Sequence, residues 1–326
     1  MNSALPSWVS TAWRTLARRA ESGSLPHALL LAGAQGLGKR AFAEAFVRAR
    51  LCKQPQSGMA CGHCKACALL EAGTHPDRVL VTCEINEKTK KLRSEIVVEQ
   101  IRDLSARLAM SAQLGGWQVA VIDPADAMNL NAYNALLKTL EEPTASSLIV
   151  LVADQPSRLP ATVRSRCQRV DFAMPPHDES LAWLRTQSMD DPETALLAAG
   201  GNPGRALELA RGEGLQRCEC VRKDLSALFA GGESIQALAH AWASDEPAER
   251  LEHAARWFAD AARSGIAAPG EYTRARTHMH MPALQDGFER ANRLREQLRG
   301  PLRAEIALVE FFAGLKAQIP RKPQPA

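Results

Sequence analysis

Residues 28–51 pass from an apolar run through a glycine-rich turn into a helical pattern, and this succession leaves few folds open. The run Ala28-Leu29-Leu30-Leu31-Ala32 is apolar at every position, as suits a strand buried on both faces. Gly33-Ala34-Gln35-Gly36-Leu37-Gly38-Lys39-Arg40 follows, and from Lys39 to Leu51 the residues Phe42, Ala45, Phe46 and Ala49 share one helical stripe. Strand, glycine turn ending in Gly-Lys, and helix are the parts of a phosphate-binding loop. The glycines let backbone N–H groups curl around phosphate, the helix N-terminus favours negative charge, and Lys39 reaches the terminal phosphates. Gly33, Gly36, Gly38 and Lys39 are therefore candidate nucleotide contacts.

The rest of the chain fits that beginning. Strand patterns fall at residues 78–81, 117–123, 147–152 and 167–172, with helical patterns at 95–108 and 129–141, the latter stopping before Pro143. Strands alternating with helices predict an α/β domain with a parallel sheet covered on both faces. Met174-Pro175-Pro176 reads as the hinge out of it. Three short helices at 177–187, 192–199 and 203–210 follow. After Gly212-Glu213-Gly214 come longer helices to Gln318, then a proline-rich tail expected to be disordered. No stretch reaches the roughly 18 apolar residues of a membrane span, and the N-terminus lacks an export signal, so the expectation is a cytoplasmic protein without a membrane partner. The net charge of +4 resides in the residues from Leu251 onward, which suits a helical surface near nucleic acid or, more plainly, a solvated arginine-rich face.

The phosphate loop departs from its pattern in one place and its partner strand in another. The residue after the lysine should be Ser or Thr, whose hydroxyl ligates Mg²⁺; here it is Arg40, which cannot. Asp123 ends an apolar strand, where an aspartate would hold Mg²⁺ through water, but an aspartate there can equally be a helix cap. The next residue is Pro124 rather than a carboxylate that could activate water, and Asp126 lies further on. Metal-assisted hydrolysis is not expected, and whether ATP still binds stays open.

Cys52, Cys61, Cys64 and Cys67 are spaced C-x8-C-x2-C-x2-C among Lys53, Gln54, His63 and Lys65, with Gly58 and Gly62 to turn the backbone. Without an export signal a disulfide framework is not expected. Four thiolates complete a tetrahedral shell, so the expectation is one structural Zn²⁺ with no open position, stapling a helix-to-helix insertion. Cys83 and Cys167 read as packing residues, and Cys218 and Cys220 stay unassigned.

Arg164-Ser165-Arg166-Cys167 precedes the strand at 167–172. Ser165-Arg166-Cys167, the stretch Asn134-Ala135-Leu136-Leu137-Lys138-Thr139-Leu140-Glu141-Glu142-Pro143, and the cysteine cluster after the loop helix together resemble bacterial DNA polymerase III clamp-loader subunits of the AAA+ family. The altered loop and strand end resemble the delta-prime subunit rather than the ATP-hydrolysing gamma/tau subunit. The match is specific over residues 25–172, weaker to about 210, and helical character alone beyond.

The resemblance implies an AAA+ P-loop domain with the zinc module (52–67) over residues 1–173 and a small helical lid over 174–211. An all-helical C-terminal oligomerisation (collar) domain over 212–319 and a disordered tail over 320–326 complete it. It implies a subunit without ATPase of its own, within a DNA-directed DNA polymerase holoenzyme, that joins gamma/tau and delta subunits in a hetero-pentamer. The assembly loads the sliding clamp onto primed DNA. Arg166 would reach in trans to the γ-phosphate of ATP on a neighbouring subunit, where a planar fixed charge stabilises the transferring group; a surface arginine paired with a carboxylate is the plain alternative. Arg205, in Gly201-Asn202-Pro203-Gly204-Arg205, stands where AAA+ proteins carry a second nucleotide-sensing arginine, or is a helix-surface arginine. Two alternatives are an ATP-hydrolysing motor subunit of the same complex and a zinc-dependent nucleic-acid-binding protein.

Overall fold

The computed structural model describes residues 5–86, 90–231, 233–267, 281–298, 300 and 302–318. The chain folds as two compact units, Met1–Leu207 and Glu208–Ala326.

The first unit is built on β1 (Ala28–Ala32), all of whose residues are buried. α1 (Ser10–Glu21) precedes it, and α2 (Lys39–Leu51) and α3 (Lys65–Glu71) follow. Next come β2 (Arg78–Val81), α4 (Val98–Leu108), β3 (Gln118–Ile122), α5 (Leu130–Glu141), β4 (Ser147–Ala153), α6 (Ala161–Arg164) and β5 (Gln168–Asp171). The strands form one parallel sheet in the order β2-β3-β4-β1-β5, with β1 paired to β4 from Ala28↔Ile149 to Ala32↔Ala153.

The two-residue period of β1 divides its side chains between two cores. Ala28, Leu30 and Ala32 pack with Ile101, Leu104, Leu136 and Leu140 of α4 and α5. Leu29 and Leu31 pack on the other face with Trp13, Leu16, Phe42 and Phe46 of α1 and α2. The all-apolar run is thus accounted for: each residue faces a helix layer. Asn129 caps α5 by accepting the Ala132 N–H at 2.9 Å.

α4 begins three residues later than the 95–108 pattern suggests, because the backbone of Ile96 is already used. Ile96 pairs with the chain at residues 127–129, donating to Ala127 O and accepting from Asn129 N. The helix can start only after Val97, whose N–H is taken by the Gln100 side chain at 3.1 Å.

Three short helices follow in the chain, α7 (His177–Arg185), α8 (Pro192–Ala198) and α9 (Pro203–Arg211), with Asp191 capping α8 through the Thr194 N–H. The second unit contains α10 (Gly214–Ala230), α11 (Ile235–Ser244), α12 (Pro247–Ala267), α13 (Met281–Gln297) and α14 (Ala304–Ala317). Its core joins Leu225, Trp242, Phe258, Leu294 and Phe312. A Cβ at Gly287 would lie 2.7 Å from the Phe258 ring, so α12 and α13 pack as closely as a residue without a side chain permits. The tail at 320–326 lies outside the described residues. No described helix is long and apolar enough to cross a membrane.

Candidate functional site

In a parallel sheet every strand runs the same way, so the chain leaves β1, β3 and β4 at one edge. Gly33, Asp123 and Asp154 stand just past those three strand ends, and α2 begins beside them. The loop forms the expected turn, with Gly36 and Gly38 both in the left-handed region (φ 83° and 88°) and Gly38 as the residue before α2.

Lys39 does not project into open space. Its side chain is 1% exposed, and Nζ donates to Gly33 O at 2.7 Å, to Ala34 O at 2.6 Å and to Asp154 Oδ1 at 2.6 Å. An ammonium has three donors, and all three are taken. Arg40 lies beside it and spans two carboxylates: Nε donates to Asp123 Oδ2 at 2.9 Å, and Nη2 to Asp154 Oδ2 at 2.8 Å. The residue that replaces a metal-ligating hydroxyl thus places a guanidinium between the acidic groups at the strand ends.

The protonation shifts follow from this arrangement. Burial alone would raise the pKa of Asp154, but hydrogen bonds from Arg40 and Lys39 outweigh it and hold the group below its ordinary value. Asp123 shifts the other way, because burial outweighs its single partner, Arg40. Lys39 is also drawn down: burial costs the ammonium more than Asp154 returns. Asp154 is therefore the principal counter-ion of both cations.

Sequence reasoning missed Asp154, although a charged residue directly after a wholly buried strand was a legible signal. Asp126 is no part of this cluster. Its two oxygens accept the N–H groups of Asp154 and Gln155 at 3.1 and 3.0 Å, which fixes the turn that aims Asp154 at the lysine.

The loop is also covered. Asn202 Nδ2 donates to Gln35 O at 2.7 Å, and the Gly204 N–H donates to Gly36 O at 3.1 Å. A Cβ at Gly204 would fall 2.1 Å from that oxygen. Trp8 Nε1 donates to Leu37 O at 3.0 Å and packs edge-on against Trp183 of α7, with ring centroids 5.5 Å apart. Arg205 stands in the first turn of α9, and its N–H is held by Asn202 Oδ1 at 3.0 Å.

Cys52 ends α2 and Cys64 precedes α3, so the cysteines lie at the ends of two helices as the spacing predicts. Their four sulfurs all lie within 4.8 Å of one another. Sγ separations are 3.5 Å for Cys52–Cys61 and 3.9 Å for both Cys52–Cys64 and Cys61–Cys67. A tetrahedron with metal–sulfur bonds near 2.3 Å has edges of about 3.8 Å, so the thiols fit one ion. Backbone N–H groups of Gln54 and Cys61 point at Cys52 Sγ at 3.4 and 3.3 Å, as suits a charged thiolate. Cys167 is buried elsewhere, and burial pushes its thiol up to about 12.

Arg166 follows α6, away from Lys39 and Asp123 in sequence and bonding. Its Nη2 lies 2.5 Å from Glu141 Oε1 and its Nη1 donates to Thr162 O at 2.8 Å, with about a third of the side chain exposed.

Fold and site define an α/β protein with a phosphate-loop turn whose own side chains balance the charges at the loop. A protein-family model described as DNA polymerase III, delta subunit, matches residues 8–176. DNA polymerase III subunit delta' of Pseudomonas aeruginosa is 41% identical over 73% of this chain and 71% of its own length. The subunit delta' of Escherichia coli is 33% identical over 89% of this chain and 88% of its own. Among solved structures, a DNA polymerase III gamma subunit-related protein of Thermotoga maritima aligns over 94% of this chain and 99% of that one, at 18% identity and a TM-score of 0.48. The chain belongs to the DNA polymerase III delta-prime family.

Proposed function

We propose that this chain is the non-motor subunit of a clamp loader, hydrolysing no ATP itself and supplying Arg166 in trans to a neighbouring ATPase subunit. The observation that carries the first half is Arg40 between Asp123 and Asp154, with Lys39 saturated by Asp154 and two loop carbonyls. A productive site needs Mg²⁺ near those carboxylates and a lysine free for phosphate. Here a fixed cation replaces the metal and the lysine has no spare donor. Gly33, Gly36, Gly38, Lys39, Asp123 and Arg205 are on this reading a degenerate nucleotide site held in its closed form.

The second half is supported by the position of Arg166. Its exposed pair with Glu141 is of a kind worth about 1 kcal/mol or less, so a neighbour's phosphate can displace the carboxylate at small cost. On this reading Zn²⁺ held by Cys52, Cys61, Cys64 and Cys67 is structural, because the protein fills every coordination position. Residues 1–173, 174–211 and 212–319 serve as core, lid and collar, and the partners are gamma/tau and delta subunits, the sliding clamp and primed DNA.

The test is reconstitution with motor subunits, a delta subunit and clamp. Arg166→Ala should assemble as the unmodified chain does while hydrolysis at the neighbouring site falls on the order of 10³-fold. Arg166→Lys should rescue poorly, since one ammonium cannot reproduce the planar fork. An unchanged rate of hydrolysis and clamp loading with Arg166→Ala would remove the finger from this reading.

A further inference from the structure

Away from the nucleotide loop, a cavity of about 270 Å³ borders the cysteine cluster through Cys52 and is otherwise lined by the end of α2, Lys53, Pro55, His75 and residues 115–117. No aspartate or glutamate lines it, yet Arg50, Lys53 and His75 do.

His75 is 5% exposed. Its Nδ1 accepts the Asp77 N–H at 3.1 Å, which leaves the ring proton on Nε2. Burial holds the imidazole below its ordinary 6.5, so at neutral pH it is an uncharged donor. Nε2 is buried and has no hydrogen-bond partner among the described residues. Nearby Asp77 does not supply one: its oxygens accept the N–H groups of Gln113 and Leu114 at 2.6 and 2.9 Å. Arg50 lies over the Trp117 ring, 4.6 Å from its centroid, and its Nε is likewise buried without a partner. Lys53 Nζ donates to Leu114 O at 2.8 Å and Gly115 O at 2.7 Å, which leaves the third donor of its ammonium.

An unpaired buried donor costs a fold free energy, so a cavity lined by two of them and two cations asks for an acceptor-rich anion. We propose that this cavity binds a phosphate group, held by the guanidinium of Arg50, the ammonium of Lys53 and the Nε2–H of His75. A phosphate offers several acceptor oxygens and up to two negative charges, matching three donors and two cations better than a single carboxylate does. The stacking of Arg50 on Trp117 fixes the plane of its guanidinium before any ligand arrives. The volume holds more than one phosphate, so the group can belong to free phosphate or a small ester, or to a nucleic-acid backbone.

The purified full chain with its metal in place is titrated with inorganic phosphate, thymidine monophosphate and a short oligothymidylate in low-salt, phosphate-free buffer. The Arg50 Nε–H resonance is followed alongside calorimetry. The expected result is saturable binding of one phosphate group per chain. Arg50→Gln and His75→Asn should weaken it at least tenfold, with metal content and melting temperature unchanged. The asparagine keeps an acceptor near the Nδ1 position and removes only the Nε2 donor. Should either substitution lower the melting temperature, Lys53→Met and the wild-type resonance shift decide the matter. Oligothymidylate binding displaced by inorganic phosphate identifies a nucleic-acid backbone as the source. Binding of phosphate or the monophosphate without competition by the oligonucleotide identifies a free phosphate or small ester. Absence of saturable binding by all three probes, or equal binding by wild type and every variant, overturns the proposal.

Discussion

The phosphate loop and the cysteine cluster are both assembled from groups that ordinarily await a ligand, but only at the loop do charged side chains of the same chain answer them. At the loop, Lys39 and Arg40 are answered by Asp154 and Asp123 within the chain, and Gln35 O and Gly36 O by Asn202 and Gly204. At the cluster, four sulfurs stand at the corners of a metal-sized tetrahedron, and among the described residues it is backbone N–H groups and the neighbouring thiols that answer them. A ligand-binding motif thus becomes a closed structural joint when its donors find acceptors in the same chain. It stays a binding site when they do not.

The comparison breaks most visibly at the metal. Chelation, or Cys64→Ser, should release one Zn²⁺ and unfold the segment from Cys52 to Glu71 while the parallel sheet survives. Structural zinc sites are worth on the order of 10 kcal/mol to the element they hold. Metal analysis with hydrogen exchange checks this, and protection of α3 unchanged after metal loss would mean that the cluster does not depend on an ion.

At the loop, Asp154→Ala should cost about 3 kcal/mol in denaturant unfolding, because Lys39 is then buried without its counter-ion. The milder Asp154→Asn sharpens the same point through pH. The Asp154 carboxyl sits below its ordinary 3.8 in the folded chain, so its stabilisation is full well above that value. It is lost as pH falls through the folded pKa, and the gap between wild type and Asp154→Asn should close there. A gap independent of pH down to acid unfolding would show that the charge of Asp154 is not what holds the lysine.

Arg40→Ser restores a hydroxyl and removes the guanidinium between the acids. Arg40 is 44% exposed, so the stability loss should be only about 1 kcal/mol after allowance for solvent screening. Metal titration should then detect Mg²⁺ binding that the unmodified chain lacks; no gain would mean that covering by Asn202 and Gly204, rather than charge, keeps the site shut. Glu141→Gln should have the smallest effect, within about 1 kcal/mol by thermal melting, since the pair with Arg166 is exposed.

The elements that position the site were legible because they rest on local rules. The all-apolar β1, the stripe of α2 and the Asn129 cap follow from burial on two faces, helical period and side-chain capping. The cysteine arrangement was legible for the same reason, since spacing limits which sulfurs can meet. Asp154 was not, because its meaning depends on β4 lying beside β1, a pairing between residues about 120 positions apart. The cover supplied by Asn202 and Gly204 was hidden likewise: in the chain from 201 to 205 the arginine is the residue with a chemical signature, whereas the contact is made by the asparagine before it and by a backbone amide. The late start of α4 arose from a non-local bridge of Ile96, which no helical period records.

Gly204 carries a tension of its own. It occupies the first turn of α9, where alanine would favour the helix by about 1 kcal/mol, and its backbone angles do not demand glycine. The local preference is overruled by the backbone of Gly36, whose O, Cα and C lie 2.1, 2.6 and 2.7 Å from where a methyl group would stand. One added carbon would therefore strengthen the helix and pry it from the loop at once, turning a weld into a hinge. Position 204 is a place where intrinsic propensity and tertiary fit are in open conflict, and a sequence optimised for helix content alone would lose the joint.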